Sequence, residues 1–144
     1  YYRTICIFNI YIILIDFLGF WVRVCHFEGK CMNKKLVFAI DFDGTIVENK
    51  YPEIGEINKD VAKFIRALRE KGHIWILWTC RCGKDLEDAV KFLKRHKLKP
   101  DYVNESTKEN LEAFPDNPKK IFADCYIDDR NAGGLVLPYW LIYR

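Results

Sequence analysis

From Met32 to the end of the chain, short apolar runs alternate with stretches of helical period. Leu36-Val37-Phe38-Ala39-Ile40 and His73 to Trp78 are almost continuously apolar, as expected of strands buried on both faces. Asp101-Tyr102-Val103 predicts a short third strand, Ile121 to Ile127 a fourth and Trp140 to Tyr143 a short last one. Ile57, Val61, Phe64, Ile65 and Leu68 recur at the spacing of one helix face, with Asn58 placed to cap the first turn and Gly72 to end the last. Leu86, Ala89, Val90 and Leu93 make a second such face. Asn104 to Lys119 is polar, carries Pro115 and Pro118, and reads as a loop holding a single helical turn. Buried strands separated by amphipathic helices predict an α/β protein, a Rossmann-like three-layer sandwich around a central parallel sheet.

Residues 1–31 differ in kind. Ile5 to Val22 is apolar and aromatic apart from a few polar positions, Asn9 and Asp16 among them, and Met32 followed by Asn-Lys-Lys resembles the start of a small cytosolic domain. Three readings stay open for this leader: translated sequence upstream of the true start, a membrane-associated segment, or an added structural element. The run barely reaches the length of a bilayer span, and Asp16 near its middle would cost about 2.5 to 3.5 kcal/mol on insertion. No small-residue cleavage site follows it, which opposes a signal peptide. The expected organisation is a leader at 1–31 and one domain at 32–144.

The composition narrows the partners only slightly. Lys and Arg outnumber Asp and Glu by 23 to 20, which suits an anionic ligand but lacks the basic footprint of a nucleic-acid binder. The six cysteines show no Cys-x-x-Cys pair and no Cys/His cluster at zinc spacing, so they read as reduced thiols in a cytoplasmic protein.

The candidate chemistry collects just past the strands, where open parallel sheets bind ligands. After the first come Asp41 and Asp43, with Gly44 able to turn the backbone. Two acids at that spacing can serve a hard divalent cation and a phosphorylated substrate together, one attacking phosphorus while the other moves a proton. After the second come Thr79, Cys80 and Arg81: a hydroxyl, loop amides ahead of a helix, and a cation, all suited to phosphate oxygens. Asp128 and Asp129 follow the fourth, then Arg130 and Asn131, while Lys119 and Lys120 precede it. Adjacent acids leaving an apolar strand are costly beside other carboxylates unless a cation offsets them.

This ordered set, Asp-x-Asp-Gly-Thr, a strand-terminal Thr, a Lys, then Asp-Asp after another strand, resembles the haloacid dehalogenase superfamily of phosphotransferases. Asp41-Phe42-Asp43-Gly44-Thr45-Ile46-Val47, Ile76-Leu77-Trp78-Thr79-Cys80-Arg81 and Tyr126-Ile127-Asp128-Asp129-Arg130-Asn131 look like the small, nearly capless phosphatase-like members of bacteria and their phages. The resemblance implies a magnesium-dependent phosphomonoesterase. Asp41 would be the nucleophile that forms an aspartyl-phosphate, and Asp43 the acid that protonates the leaving group and then activates water. Thr79 would hold the phosphoryl group and Lys120, with Lys119 the alternative, would steady it. Asp128 and Asp129 would bind Mg2+ together with Asp41 and the backbone carbonyl of Asp43. Arg81, Arg130 and Asn131 fall outside the superfamily's general motifs and are candidates for substrate contact.

No stretch is long enough for a full cap domain, so specificity falls to short loops such as Glu48 to Gly55 and Asn104 to Pro118. The partner is then a phosphorylated small molecule or the phosphorylated end of a macromolecule. A receiver domain of two-component signalling carries its acid pair on the first strand and its lysine after the last, the reverse of the order here. The non-enzymatic alternative is a domain of the same fold that binds a phosphorylated ligand or partner without turnover.

Overall fold

The computed structural model describes residues 34–116 and 118–143, so the expectations for the leader lie outside the described residues. A compact unit begins at Lys34. Its centre is a four-stranded, all-parallel sheet in the order β3-β2-β1-β4, with β1 at Val37–Ile40, β2 at Ile74–Leu77, β3 at Tyr102–Val103 and β4 at Cys125–Ile127. The chain has an α/β, Rossmann-like fold. Because β1, β2 and β3 follow one another in one direction across the sheet and β4 returns to the far side of β1, the topology switches between β1 and β4. Crossovers of one hand then place the first two connections on one face and the third on the other.

The two cores follow that division. Phe38, Ile40, Trp75 and Leu77 point into a large core with Val61, Phe64, Ile65 and Leu68 of α1 (Lys59–Glu70) and Ala89 and Leu93 of α2 (Gly83–Arg95). Val37, Ala39 and Ile76 point the other way, into a smaller cluster with Ile121. This alternation is the period of two expected of strands. The third connection includes α3 (Lys108–Ala113), a six-residue helix with no buried side chain, so the second face is the more thinly covered.

Asn58 caps α1 as its sequence position predicts, its Oδ1 accepting from the N–H groups of Asp60 and Val61 at 3.1 and 3.3 Å. Gly72 follows at φ +78, a left-handed conformation that favours glycine. Two expectations shift. The fourth strand begins at Cys125 rather than Ile121, because Ser106 Oγ takes the Phe122 N–H and the Asp124 carboxylate accepts the Val37 N–H at 2.9 Å, interrupting regular pairing. Trp140 to Tyr143 is not a strand: Tyr139–Ile142 forms the short helix α4, which buries Ile142 and sets Tyr139 edge-on to Phe64 at 5.1 Å. A four-residue apolar run carries no period that separates strand from helix. Among the described residues no helix is long and apolar enough to cross a membrane.

Candidate active site

The parallel register aligns the carboxyl ends of the strands. Ile40 pairs with Leu77 and with Ile127, and Leu77 with Val103. Pairing between β1 and β4 continues one step further, since Asp41 N–H donates to Ile127 C=O at 3.0 Å. Asp41 therefore stands beside Asp128, at the switch point where ligands bind in such sheets.

One carboxylate oxygen from each of Asp41, Asp128 and Asp129 lies within 4.8 Å of the others. Oxygens around one hard divalent cation stand about 3 to 5 Å apart, so the three suit a shared ion. Asp129 Oδ1 is buried without a hydrogen-bond partner. An acceptor left dry in this way is costly unless a cation or water meets it. Burial above all pushes the Asp41 carboxyl up to about 6; the Asp128 and Asp129 charges push the same way, while the Phe42 amide and Thr45 hydroxyl pull it back. Three carboxylates held this close repel one another unless a cation meets them.

Two residues of the first loop hold the cluster in shape. Thr45 is fully buried, and its hydroxyl accepts the Asp129 N–H at 3.0 Å, tying the loop after β1 to the residues after β4, while it also favours the ionised Asp41 carboxylate. Gly44 sits at φ +90, and a Cβ there would stand 2.5 Å from Asp129 Oδ2. Only glycine fits both the backbone and the space.

Asp43 is arranged differently from the other acids. Arg81 grips it from two donors, Nε to Oδ2 and Nη2 to Oδ1, both at 2.7 Å. The same guanidinium donates to the carbonyls of Pro52 and Glu53 at 2.9 and 2.8 Å and lies 5.1 Å from the ring centres of both Phe42 and Tyr51. Arg81 is only 3% exposed. Sequence alone suggested a substrate contact, whereas the structure commits this side chain to positioning Asp43 and the Glu48 to Gly55 loop.

Thr79 lies at the end of β2, and its Oγ1 accepts the Arg81 N–H at 3.2 Å, which leaves the hydroxyl hydrogen free to donate elsewhere. Asn104, just past β3, closes a reciprocal clasp on Thr79, accepting from its N–H and donating to its C=O, each at 2.8 Å. Asn104 adopts φ 51, a conformation asparagine tolerates better than most residues. Sequence reasoning passed over this residue; its only signal was an amide side chain directly after a short strand.

The remaining candidates have their own contacts. Lys120 is exposed, its ammonium 5.5 Å from the Tyr126 ring centre, and it lines a pocket with Phe114, Ile121 and Phe122. Lys119 is exposed as well. The Arg130 N–H donates to Asp128 Oδ1 at 2.8 Å and its side chain is exposed, while Asn131 Nδ2 donates to Tyr126 C=O at 3.3 Å. Both help to shape the loop that carries Asp128 and Asp129. Cys80, Cys82 and Cys125 are free thiols.

The described residues thus gather three acids at the switch point of a parallel α/β sheet. The chain is similar to a conserved protein from Bacteroides thetaiotaomicron of known structure, with 36% identity, coverage of 76% of this chain and 87% of that one, and a TM-score of 0.64. At that identity and coverage the two belong to one family. No protein-family model matches the chain, and no curated protein matches it.

Proposed function

We propose that the protein is a magnesium-dependent phosphatase that hydrolyses a phosphomonoester through an aspartyl-phosphate on Asp41, as its resemblance to the haloacid dehalogenase superfamily implies. The observation that carries this reading is the meeting of Asp41, Asp128 and Asp129 within 4.8 Å at the sheet's switch point. These three, with the backbone carbonyl of Asp43, would hold Mg2+, which when bound offsets the negative charge that would repel an anionic ester from a carboxylate nucleophile.

In this mechanism an Asp41 oxygen attacks phosphorus while the phosphorus–oxygen ester bond breaks, and Asp43 gives a proton to the departing oxygen. Water then attacks phosphorus while its bond to Asp41 breaks, Asp43 takes the water's proton and so regains the protonated form in which it began, and inorganic phosphate leaves. Both Asp43 oxygens accept from Arg81, but each carboxylate oxygen has a second lone-pair direction, so proton transfer does not require the guanidinium to withdraw. Thr79 supplies a hydroxyl to a phosphoryl oxygen. Free thiols fit the same picture of a reducing, cytoplasmic setting and take no part in the chemistry.

The test is phosphate release from nitrophenyl phosphate and from glycerol phosphate with magnesium, with excess chelator, and with Asp41→Asn. Activity should vanish in the last two conditions. Turnover that persists in chelator would rule the mechanism out, and magnesium-dependent binding of phosphate without any turnover would favour the non-catalytic alternative.

A further inference from the structure

Tyr51 is 60% exposed, yet its side chain is fastened. Arg81 lies over one face of the ring at 5.1 Å, the hydroxyl donates to Asp85 Oδ2 at 3.3 Å at the start of α2, and the next two carbonyls along the chain are bonded by Arg81. With one face on the guanidinium and most of the residue exposed, the opposite face looks to solvent. An exposed aromatic side chain usually samples several rotamers, and a ligand must freeze them. Here the protein has already frozen the ring, so stacking a second flat group on it costs little further entropy.

The position of the ring matters as much as its rigidity. A single guanidinium is shared between Tyr51 and Asp43, with 2.7 Å hydrogen bonds on the carboxylate side. If Asp43 protonates the leaving oxygen, the leaving group departs on the side where Tyr51 stands. Among the described residues nothing between Thr45 and α1 forms a cap on this side, since that stretch is only a loop closed by the Glu48 N–H to Glu56 C=O bond at 2.8 Å. Specificity for the leaving group must therefore come from what the loop presents, and its one large apolar side chain beside Arg81 is Tyr51.

We propose that Tyr51 is a stacking platform for the leaving group, selecting phosphomonoesters whose alcohol carries a flat, unsaturated ring; this rests on the phosphatase reading. Arg81 lies 5.1 Å from the ring centres of both Phe42 and Tyr51, and the ring of the substrate would pack on Tyr51 from the side away from the guanidinium.

The test compares benzyl phosphate with cyclohexylmethyl phosphate, esters of primary alcohols of similar size that differ in whether the ring is flat. The quantity read is the ratio of their kcat/KM values within each variant, so that losses common to both esters cancel. The wild-type protein should favour the benzyl ester roughly tenfold, mainly through KM. Tyr51→Leu should bring the ratio to about one, and Tyr51→Phe should keep it. A ratio near one in the wild type, or one unchanged in Tyr51→Leu, would overturn the proposal. Inactivity on these two esters beside turnover of nitrophenyl phosphate would overturn the platform, whereas inactivity on nitrophenyl and glycerol phosphates as well means that the phosphatase reading fails. The platform is then judged by calorimetric binding of benzylphosphonate and cyclohexylmethylphosphonate in magnesium. A tenfold preference lost in Tyr51→Leu sustains it, and equal binding or none overturns it.

Discussion

A carboxyl pushed up to about 6 by burial and by two neighbouring acids is a cost to the folded state at neutral pH. The sign follows from proton counting. Between the ordinary value of 3.8 and about 6 the folded protein holds a proton that the unfolded chain has released, so stability falls as pH rises through that window. The full penalty is present above it. Asp41→Asn should therefore stabilise the metal-free protein at pH 7 to 8 by about 1 to 2 kcal/mol, a figure already reduced for partial solvent screening, and the gain should disappear below about pH 4. Thermal unfolding of both proteins in chelator across pH 4 to 8 checks this; a variant less stable than wild type at pH 8 would show that the cluster is not strained by charge. Magnesium should reverse the order by stabilising the wild type more. The acids themselves were legible in the sequence, because residues that leave buried parallel strands have only one place to go. The Thr45 hydroxyl was not legible as a bridge. One of its partners, Asp129, lies 84 positions away, and no local pattern records that a hydroxyl will be dry and shared.

Among the elements, the loop from Glu48 to Gly55 owes its shape to a residue outside it. Arg81 reaches back from the end of β2 to bond Pro52 and Glu53, and a Cβ at Gly55 would collide with the Glu48 carbonyl. Lysine in place of Arg81 would keep the charge but cannot serve Asp43 from two donors and the two carbonyls as well. Arg81→Lys should then cost about 2 kcal/mol in stability and expose the loop to proteolysis, while the acid cluster still binds magnesium. Denaturant unfolding and limited digestion read the two effects; a loop as resistant as in wild type would mean that Arg81 is not its anchor. Helices with a clear stripe and cap, such as α1 behind Asn58, could be read from the sequence almost to the residue. The buried strands β1 and β2 were legible as well, but the short final run was not. The final apolar run became a helix because Pro138 precedes it, its carbonyl takes the Leu141 N–H at 2.9 Å and Ile142 finds a place in the core, all of which depend on packing.

At the scale of the described unit, the switch between β1 and β4 decides where the acid cluster sits. Every contact named in the site lies between Asp41 and Asn131, and the sheet that aligns those contacts begins at Val37. The earliest described link is a Lys34–Asp124 ion pair at 3.2 Å whose lysine is 70% exposed, a contact worth little to stability. A shortened chain beginning at Met32 therefore keeps both described cores and all of the acid cluster. Its unfolding free energy should match that of the full chain to within about 0.5 kcal/mol, and it should gain the same stability from magnesium and release phosphate from nitrophenyl phosphate at a comparable rate. Thin cover on the second sheet face is where this expectation is most exposed. Phe114 and Phe122 remain 60% and 48% exposed beside the small cluster built on Ile121. If the shortened chain aggregated or lost activity while the full chain worked, the described unit would be shown to need residues 1–31, and their role would have to be structural.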